Sequence, residues 1–499
     1  MPVAEPDGVA GPERPHLHFT PPSGWLNDPN GLVHVDGTWQ LCYQHHPDSL
    51  VWGPMHWGRA TSRDLIHWEH HPIALRPDHL GAAFSGSAVV DDEGVAGLGA
   101  GALVAFYTHF VEGEPQTQGV ASSTDGGRTW TAHPENPVLR GPEGLVDFRD
   151  PKVLRYGGPD GHWVMVLVGG DEVIFHRSDD LLTWTECGRF GREYGAHDGL
   201  WETPDLFKLE VEGTGERRWV LVVSVMSGGP AGGSGTQYFT GTFDGAAFTC
   251  DGPPEEVRWV DHGPDFYAPQ SWYGAPAARR TWVAWMSNWA YARAVPASTW
   301  RGAMTLPRDL SLRPGPDGRP VLAQRPVPEV DAHAAAPTTV LPATGNRSFD
   351  APLSEGSATV WSVAQAPWAY ELVVRTDPGV SWTVEVHRDE ALGRATRVSW
   401  DGTDAARPVL TVRRDDRGLV GVDPSGGQVV ALPALPDRDP GEVRIVVDTC
   451  SVEVFAAGGT VVLTNQVFPA PDARGLRLTS PGGGPATVTG TLRDLSTRG

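Results

Sequence analysis

The amino-acid sequence predicts an all-β protein, a five-bladed β-propeller followed by a C-terminal β-sandwich. Three observations lead to this fold class. Long helical patterns are missing, and short apolar runs such as LVAFYTHF, HWVMVLVGG and RWVLVVSV alternate with turns rich in Gly, Pro and Asp, which is typical of β-strands. A short motif recurs four times at nearly even spacing, and the strand signals change in character after residue 345.

The recurring motif consists of Ser or Thr, any residue, Asp and, after three or four more residues, an aromatic side chain. Its copies are Ser62-Arg63-Asp64 with Trp68, Ser123-Thr124-Asp125 with Trp130, Ser178-Asp179-Asp180 with Trp184, and Thr242-Phe243-Asp244 with Phe248. The closing aromatic residues are 62, 54 and 64 residues apart, a period that suits four-stranded propeller blades with long loops. At about 60 residues per blade, residues 1–325 form five blades, and each Asp-led turn joins the outer strands of a blade.

The second half of the chain has a different organisation. Residues 326–345 are rich in Pro and Ala, which predicts a linker. Residues 346–499 contain short runs such as YELVVRT, WTVEVH and VRIVVDT, at the spacing expected of a β-sandwich.

The charge of the chain restricts its partners. The formal net charge is −22 over 499 residues, so nucleic acid and anionic membranes would be repelled, although acidity also favours solubility. The sequence has no run of 18 apolar residues, which excludes a membrane-spanning helix. The first residues lack the basic and apolar regions of a signal peptide. We therefore expect a cytoplasmic protein, or a secreted one if a leader has been removed; the sequence does not indicate an oligomeric state.

Metal-binding patterns are missing as well. The four cysteines are widely scattered, without a CxxC pair, and this excludes a disulfide framework and a zinc site of that kind. The 18 histidines include the pairs His45-His46 and His70-His71, but no HExxH spacing occurs. We expect no metal and no other cofactor.

Three acidic residues occupy a similar position, or phase, within successive repeats. Asp28 in WLNDPNG, Asp150 in FRDPK and Glu202 in WETPDLF precede the Asp of a repeat copy by 36, 30 and 42 residues. Equivalent phases of successive blades converge on the axis of a propeller, so the three carboxylates should face one another. Taken singly, Asp28 would be a turn residue and Arg149-Asp150 a structural ion pair. Their common phase favours a single site.

Carboxylates grouped in this way suit glycoside hydrolysis. A retaining enzyme needs a nucleophile and a proton donor about 5 to 5.5 Å apart. Like charges in a partly dry pocket raise a pKa, which keeps the donor protonated near neutral pH. Flat apolar faces for a sugar ring are expected from four tryptophans, Trp25, Trp52, Trp57 and Trp201.

The ordered motifs WLNDPNG, YQHHP, FSGS, FRDPK, WETPDLF and WMSNWAY resemble those of glycoside hydrolase family 32, which includes invertases, levanases and exo-inulinases. The similarity extends from about His16 to Arg308, and VDTCSVEVF resembles the C-terminal sandwich of the family. The resemblance implies a five-bladed propeller, a retaining mechanism and a substrate containing β-fructofuranosyl units, such as levan, inulin-type fructans or sucrose.

The resemblance also implies roles for individual residues. Asp28 would be the nucleophile and Glu202 the acid/base catalyst. Asp150, with Arg149, would bind ring hydroxyls and stabilise the transition state. Residues expected to line the fructose pocket are Asn27, Gln44, Trp52, Phe84, Ser85, Arg149 and Trp289. The sequence departs from the family pattern at Thr203, where the family usually has Cys.

Two other functions remain open. A fructosyltransferase would form the same covalent intermediate but pass the fructosyl group to a sugar hydroxyl. A non-catalytic fructan-binding protein is disfavoured because all three carboxylates are present. The sequence does not distinguish β-2,1 from β-2,6 linkages.

Overall fold

The computed structural model describes residues 14–158, 160–276, 279–334, 348–352, 359–415, 427–432, 441–480 and 487–496. Within these ranges the regular structure consists of 34 strands, one α-helix and a short 3-10 turn. No helix in the described part of the chain is both long enough and apolar enough to span a membrane.

Five sheets of four or five strands are formed one after another along the first 326 residues. Blade 1 contains β1 (Gly24–Val35), β2 (Thr38–His46), β3 (His56–Ser62) and β4 (Trp68–Leu75). Blade 2 contains β5 (Ala82–Asp91), β6 (Ala102–Phe110), β7 (Thr117–Ser123), β8 (Thr131–Ala132) and β9 (Leu139–Arg140). Blade 3 contains β10 (Phe148–Tyr156), β11 (His162–Gly169), β12 (Glu172–Ser178) and β13 (Thr185–Phe190).

The last two blades complete the ring. Blade 4 contains β14 (Trp201–Glu210), β15 (Arg217–Val225), β16 (Gly235–Phe243) and β17 (Phe248–Cys250). Blade 5 contains β18 (Tyr267–Ser271), β19 (Thr281–Trp285), β21 (Arg308–Arg313) and β22 (Val321–Pro326), and between them β20 (Trp300–Arg301) pairs in parallel with β1 of blade 1. This pairing ties the fifth blade to the first and was not predicted from the sequence.

The remaining strands form two six-stranded sheets that share an apolar core. Helix α1 (Pro328–Ala334) follows the propeller, and the rest of the predicted linker, 335–345, lies outside the described residues. One sheet contains β23 (Ser348–Pro352), β34 (Thr487–Asp494), β25 (Tyr370–Thr376), β30 (Val443–Asp448), β31 (Ser451–Ala456) and β32 (Val461–Gln466). The other contains β24 (Thr359–Val363), β33 (Gly475–Thr479), β26 (Trp382–Asp389), β27 (Arg394–Asp401), β28 (Val409–Arg414) and β29 (Gln428–Ala431). The predicted propeller and sandwich are confirmed.

The repeated motif is the turn between the two outer strands of blades 1 to 4, as predicted. In blade 1 the Ser62 hydroxyl donates to Asp64 Oδ1 at 3.1 Å, and this carboxylate accepts backbone N–H groups from the turn. The Trp68 indole N–H then donates to the Leu65 carbonyl oxygen at 3.1 Å. Because the side chains satisfy the turn's own backbone, the motif specifies this turn locally. Blade 5 carries no copy of the motif, so the sequence predicted this blade only from the number of residues per repeat.

A buried ion network joins the propeller to the sandwich. The imidazole nitrogens of His18 lie 2.8 Å from Asp448 Oδ2 and 2.8 Å from Glu453 Oε1. Arg308 bonds the other oxygen of Glu453 at 2.6 Å and Asp261 Oδ2 at 3.1 Å. Burial alone would lower the pKa of His18, but the hydrogen bonds and charges of the two sandwich carboxylates outweigh it and raise this pKa to about 9. The bridging imidazole is therefore cationic at neutral pH.

We expect His18→Ala to lower the free energy of unfolding by roughly 3 kcal/mol near pH 6, because removal of one partner leaves buried charge less well compensated. The folded pKa of about 9 exceeds the unfolded value of about 6.5. The contribution of His18 is thus complete below about pH 6.5 and is lost as the pH rises through about 9. Urea unfolding of both proteins across this range measures it.

His67→Ala is the matched control, because His67 forms an exposed pair with Asp64, with side chains 56% and 44% accessible. Its cost should stay below about 1 kcal/mol. A stability difference for His18→Ala that is the same at both ends of the pH range would contradict a charged bridge.

Candidate active site

Each of the five innermost strands is interrupted by a β-bulge near its N-terminal end. The pairing register shifts between Leu26 and Pro29, Ala83 and Gly86, Arg149 and Lys152, Glu202 and Asp205, and Tyr267 and Gln270. A bulge bends the strand and re-aims side chains. The five bulges therefore turn polar side chains from all five blades towards the propeller axis, into a region that we call the central funnel.

Asp28 lies in the bulge of β1 and is buried. Its Oδ2 accepts a hydrogen bond of 2.8 Å from the Ser85 hydroxyl of blade 2, while Oδ1 has no partner among the described residues. The neighbouring Asn27 uses its Oδ1 to accept the Trp25 indole N–H at 2.8 Å. One carboxylate oxygen of Asp28 is thus fixed by a hydrogen bond, and the other is buried without a hydrogen-bond partner among the described residues.

Asp150 lies in the bulge of β10 with a positive φ of 62°, which is uncommon for a residue with a side chain. Its Oδ2 accepts the backbone N–H of Thr203 at 2.8 Å, and its own N–H donates to the Thr108 hydroxyl at 3.0 Å. Blades 2 and 4 therefore hold Asp150 in place. The guanidinium of Arg149 lies 3.9 Å from Asp150 Oδ2, so any ion pair between these neighbours is a loose one.

Glu202 lies in β14 and is held from two sides. Arg149 donates to its Oε1 through Nε at 3.2 Å and Nη2 at 3.0 Å. The Tyr267 hydroxyl donates to Oε2 at 2.5 Å. Arg149 is itself held by Asp147, 2.5 Å away, and by Gln116. The carboxylate of Glu202 is consequently fixed in orientation before any substrate binds.

Burial and mutual repulsion shift the acidity of this group. The pKa of Asp28 is raised to about 7, chiefly by burial and then by the charge of Glu202. Burial likewise raises the pKa of Asp150 to about 8; Arg149 opposes this, while Glu202 and Asp28 add to it. Positive charge that develops on a substrate would favour the ionised form of both groups.

The other residues predicted for the pocket are found around the same funnel. Gln44 is buried and donates to Asn30 Oδ1 and the Ala83 carbonyl at 2.7 and 3.0 Å. Phe84 and Trp52 are partly exposed and in edge contact, with ring centroids 5.8 Å apart. Trp289 is partly exposed and stacks on Trp25 at 6.3 Å. Trp52, Phe84 and Trp289 thus keep surface that a ligand can reach.

The expectation for three of the four tryptophans was wrong. Trp25, Trp57 and Trp201 are 0% exposed and cannot offer a face to a sugar ring. Their indole N–H groups bond to Asn27, the Phe84 carbonyl and the Ala196 carbonyl. They are core residues that hold the bulged strands, which sequence proximity to an acidic motif did not reveal.

Sequence reasoning missed Tyr267. Its segment Tyr267-Ala268-Pro269 aligns with Arg149-Asp150-Pro151 and Glu202-Thr203-Pro204, and the central residue of each has a positive φ, between 48° and 62°. Comparison of the three Pro-containing segments would have placed Tyr267 beside Arg149 and Glu202.

Thr203, where the sequence departs from the family pattern, contributes mainly through its backbone. Its N–H holds Asp150 at 2.8 Å, while its hydroxyl donates to the Ser224 hydroxyl at 3.1 Å. The described residues contain no group of three or more His, Cys, Asp or Glu side chains arranged to hold a metal ion.

Known proteins resemble this chain over nearly its whole length. The family models for the N-terminal and C-terminal domains of glycosyl hydrolases family 32 match residues 18–326 and 346–497. A levanase of Bacillus subtilis (strain 168) is 42% identical over 97% of this chain and 70% of its own length. An extracellular exo-inulinase of Aspergillus ficuum is 34% identical over 97% of this chain and 95% of its own.

The fold is similar to that of solved structures as well. The crystal structure of exo-inulinase from Aspergillus awamori superposes with a TM-score of 0.84 and 31% identity, covering 97% of this chain and 98% of that one. Both halves of the chain are thus matched in sequence and in structure, and the chain belongs to glycosyl hydrolase family 32.

Proposed function

We propose that this protein is a retaining β-fructofuranosidase that releases fructose from the ends of fructan chains. One observation carries the proposal: the buried Asp28 and Asp150 and the partly exposed Glu202 come from three blades into one site, where the charge of Glu202 helps to raise the pKa of both aspartates. Family membership and the likeness to a levanase and exo-inulinases support the reaction and the substrate class.

In the first step, Asp28 attacks the anomeric carbon of a terminal fructosyl unit. The carbon–oxygen bond to the leaving group breaks, and a covalent fructosyl–enzyme ester forms. The Ser85 hydroxyl holds Asp28 Oδ2 at 2.8 Å, which fixes the orientation of the carboxylate for the attack.

Glu202 supplies the proton that the leaving oxygen takes up. In the second step the resulting carboxylate removes a proton from water as the water attacks the ester, which frees fructose and restores both groups. Tyr267 and Arg149 orient this carboxyl group through their contacts at 2.5 and 3.0 Å.

Asp150 is assigned to the sugar ring. Its carboxylate is held by backbone N–H donation from Thr203 rather than by a close ion pair, so it can accept hydrogen bonds from ring hydroxyls. As positive charge develops on the ring, these bonds strengthen and lower the barrier. Ser85 bonds Asp28, and Asn27 is the chain neighbour of Asp28. The partly exposed side chains assigned to the wall of the fructose pocket are Trp52, Phe84 and Trp289.

Product analysis tests the proposed reaction. The protein is incubated with levan, inulin and sucrose, and the products are separated by chromatography over time. Free fructose should be the first product from levan or inulin, with no early oligosaccharides, because an exo-acting hydrolase removes terminal units. Asp28→Ala, prepared in parallel, should release none.

Other product patterns identify the alternatives. Oligosaccharides longer than the supplied sugar, formed while free fructose lags behind glucose, would mean that a sugar hydroxyl replaces water and that the protein is a fructosyltransferase. Short oligosaccharides from the start would mean internal cleavage. Absence of turnover on all three substrates, in protein that is folded, would contradict the proposal.

A further inference from the structure

A cavity apart from the three carboxylates is lined by residues of blades 3, 4 and 5. Its volume is about 490 Å³. Its wall includes residues 152–156 of β10, Gly157 after that strand, and residues 206–208 of β14, towards the C-terminal ends of these strands. Asp150 and Glu202 lie near the N-terminal ends of the same strands. The cavity, which we call the basic cavity, is therefore separate from the candidate active site.

The wall of the basic cavity is positively charged, whereas the chain as a whole is negatively charged. The chain carries a formal net charge of −22, yet the cavity is lined by four cationic side chains and by no Asp or Glu among the described residues. The cations are Lys152, Arg155, Lys208 and Arg280. Concentration of positive charge in a concave site attracts anions.

Two of these cations are already compensated. Lys152 Nζ lies 3.1 Å from Asp205 Oδ2 and donates to the Ser271 carbonyl at 2.8 Å. Arg155 lies 3.8 Å from the Glu93 carboxylate and over the Trp163 ring. The remaining charge belongs to Arg280 and Lys208.

Arg280 has no counter-ion of its own. Its guanidinium lies 5.5 Å from the ring centroid of Phe207, and within the described part of the chain it forms no hydrogen bond or ion pair. Burial lowers its pKa, and Asp205, already bonded to Lys152, opposes this only through its charge. A half-buried guanidinium without an acceptor is costly, so an anion that binds there is favoured. Lys208 is exposed at the mouth of the cavity.

One wall of the basic cavity is aromatic. Tyr156 and Trp219 stack with ring centroids 6.0 Å apart, and Phe243 meets both rings edge-on at 5.6 and 5.4 Å. All three rings line the cavity. A flat organic group could pack against this wall while an anionic group reaches the cations.

We propose that the basic cavity binds a small phosphate monoester, with its phosphate group at Arg280 and Lys208, the two uncompensated cations that line this cavity, and its organic group against the aromatic wall. Two uncompensated positive charges match a phosphate dianion better than a single carboxylate. The planar guanidinium binds two phosphate oxygens at once. Free inorganic phosphate shares this chemistry but lacks the organic group, and the two sources are distinguished below by measurement.

Calorimetry and thermal unfolding of the full chain test the proposal, with phenyl phosphate and inorganic phosphate as probes and potassium chloride at equal ionic strength as the salt control. Phenyl phosphate should bind saturably and raise the Tm, with a lower Kd than inorganic phosphate. Lys208→Gln and Arg280→Gln should each raise the Kd for phenyl phosphate at least about tenfold, because each removes a charged hydrogen bond. Arg177→Gln, an arginine with a 55% exposed side chain on the outer strands of blade 3, should leave the Kd unchanged.

Three results would contradict the proposed phosphate site. They are the lack of saturable binding, a Tm shift that chloride reproduces, or an equal Kd in the wild type and Lys208→Gln. Lys208 is exposed, so its variant folds and the test stands even if Arg280→Gln does not. Equal affinity for the two phosphates would overturn the role of the aromatic wall and identify inorganic phosphate as the ligand.

Discussion

Asp28→Asn should lower kcat/KM on levan or sucrose by four orders of magnitude or more (~10⁴), with the fold intact, because no other group can form the covalent intermediate. Asparagine keeps the shape of the side chain, and its carbonyl oxygen can still accept the Ser85 hydroxyl. Steady-state kinetics and circular dichroism on one preparation check both parts. Asp36→Asn is the control, because Asp36 is exposed in the turn after β1 and should change neither.

The same substitution should make the protein more stable at alkaline pH. The pKa of Asp28 is raised from 3.8 to about 7 in the fold, so its ionisation opposes folding. The sign follows: this destabilisation is absent below the unfolded pKa of 3.8, grows as the pH rises, and is complete above about 7. Asp28→Asn should therefore unfold with a free energy roughly 1–3 kcal/mol above that of the wild type near pH 8, with a smaller gain near pH 5.

Either half of this result can fail separately. Activity within about tenfold of the wild type, in protein free of contaminating enzyme, would remove Asp28 as the nucleophile. A loss of activity together with a loss of stability at pH 8 would mean that Asp28 supports the fold, as a turn residue would. Gain of stability with loss of function is the pattern expected of a functional residue.

Sequence reasoning succeeded where structure is specified locally. The turns of blades 1 to 4 are closed by their own Ser, Asp and Trp side chains, as in Ser62, Asp64 and Trp68, so the motif could be recognised without knowledge of the fold. The common phase of the acidic motifs then located the funnel, because repeats place equivalent residues around one axis.

Sequence reasoning failed where segments that are distant in the chain meet in the fold. The pairing of Trp300 with Gly24 closes the ring, and His18 bridges two sandwich carboxylates 430 and 435 residues away; no local pattern specifies either contact. The tryptophans beside the acidic motifs were misjudged for a related reason. Whether Trp25 faces the funnel or the core depends on the bulge in β1, and a shift of one residue exchanges the two faces of a strand.

Glu202→Gln should separate the two chemical steps. With levan or sucrose, whose leaving oxygen needs a proton, kcat/KM should fall by about 10³ to 10⁴. With β-fructofuranosyl fluoride, whose leaving group needs no proton, kcat/KM should stay within about tenfold of the wild type, since this parameter reports the formation of the ester. Glutamine can still accept the bond from Arg149 through its carbonyl oxygen, and its amide N–H can donate to the Tyr267 hydroxyl, so the positions of both side chains in the funnel should change little. Glu210→Gln, an exposed position at the end of the same strand, is the matched control.

The second step should expose the other role of Glu202. Without a general base, the fructosyl ester on Asp28 breaks down slowly, so kcat on the fluoride should fall although kcat/KM does not, and a burst of fluoride should precede the steady state. Azide attacks without proton removal, so its addition should restore kcat and yield β-fructofuranosyl azide, with the configuration of the substrate retained by two displacements. Equal losses of kcat/KM on fluoride and sucrose would show that Glu202 is not the proton donor. Formation of α-fructofuranosyl azide would mean that azide displaces fluoride directly. The mechanism would then be a single displacement without a covalent intermediate, and Asp28 would act as a general base.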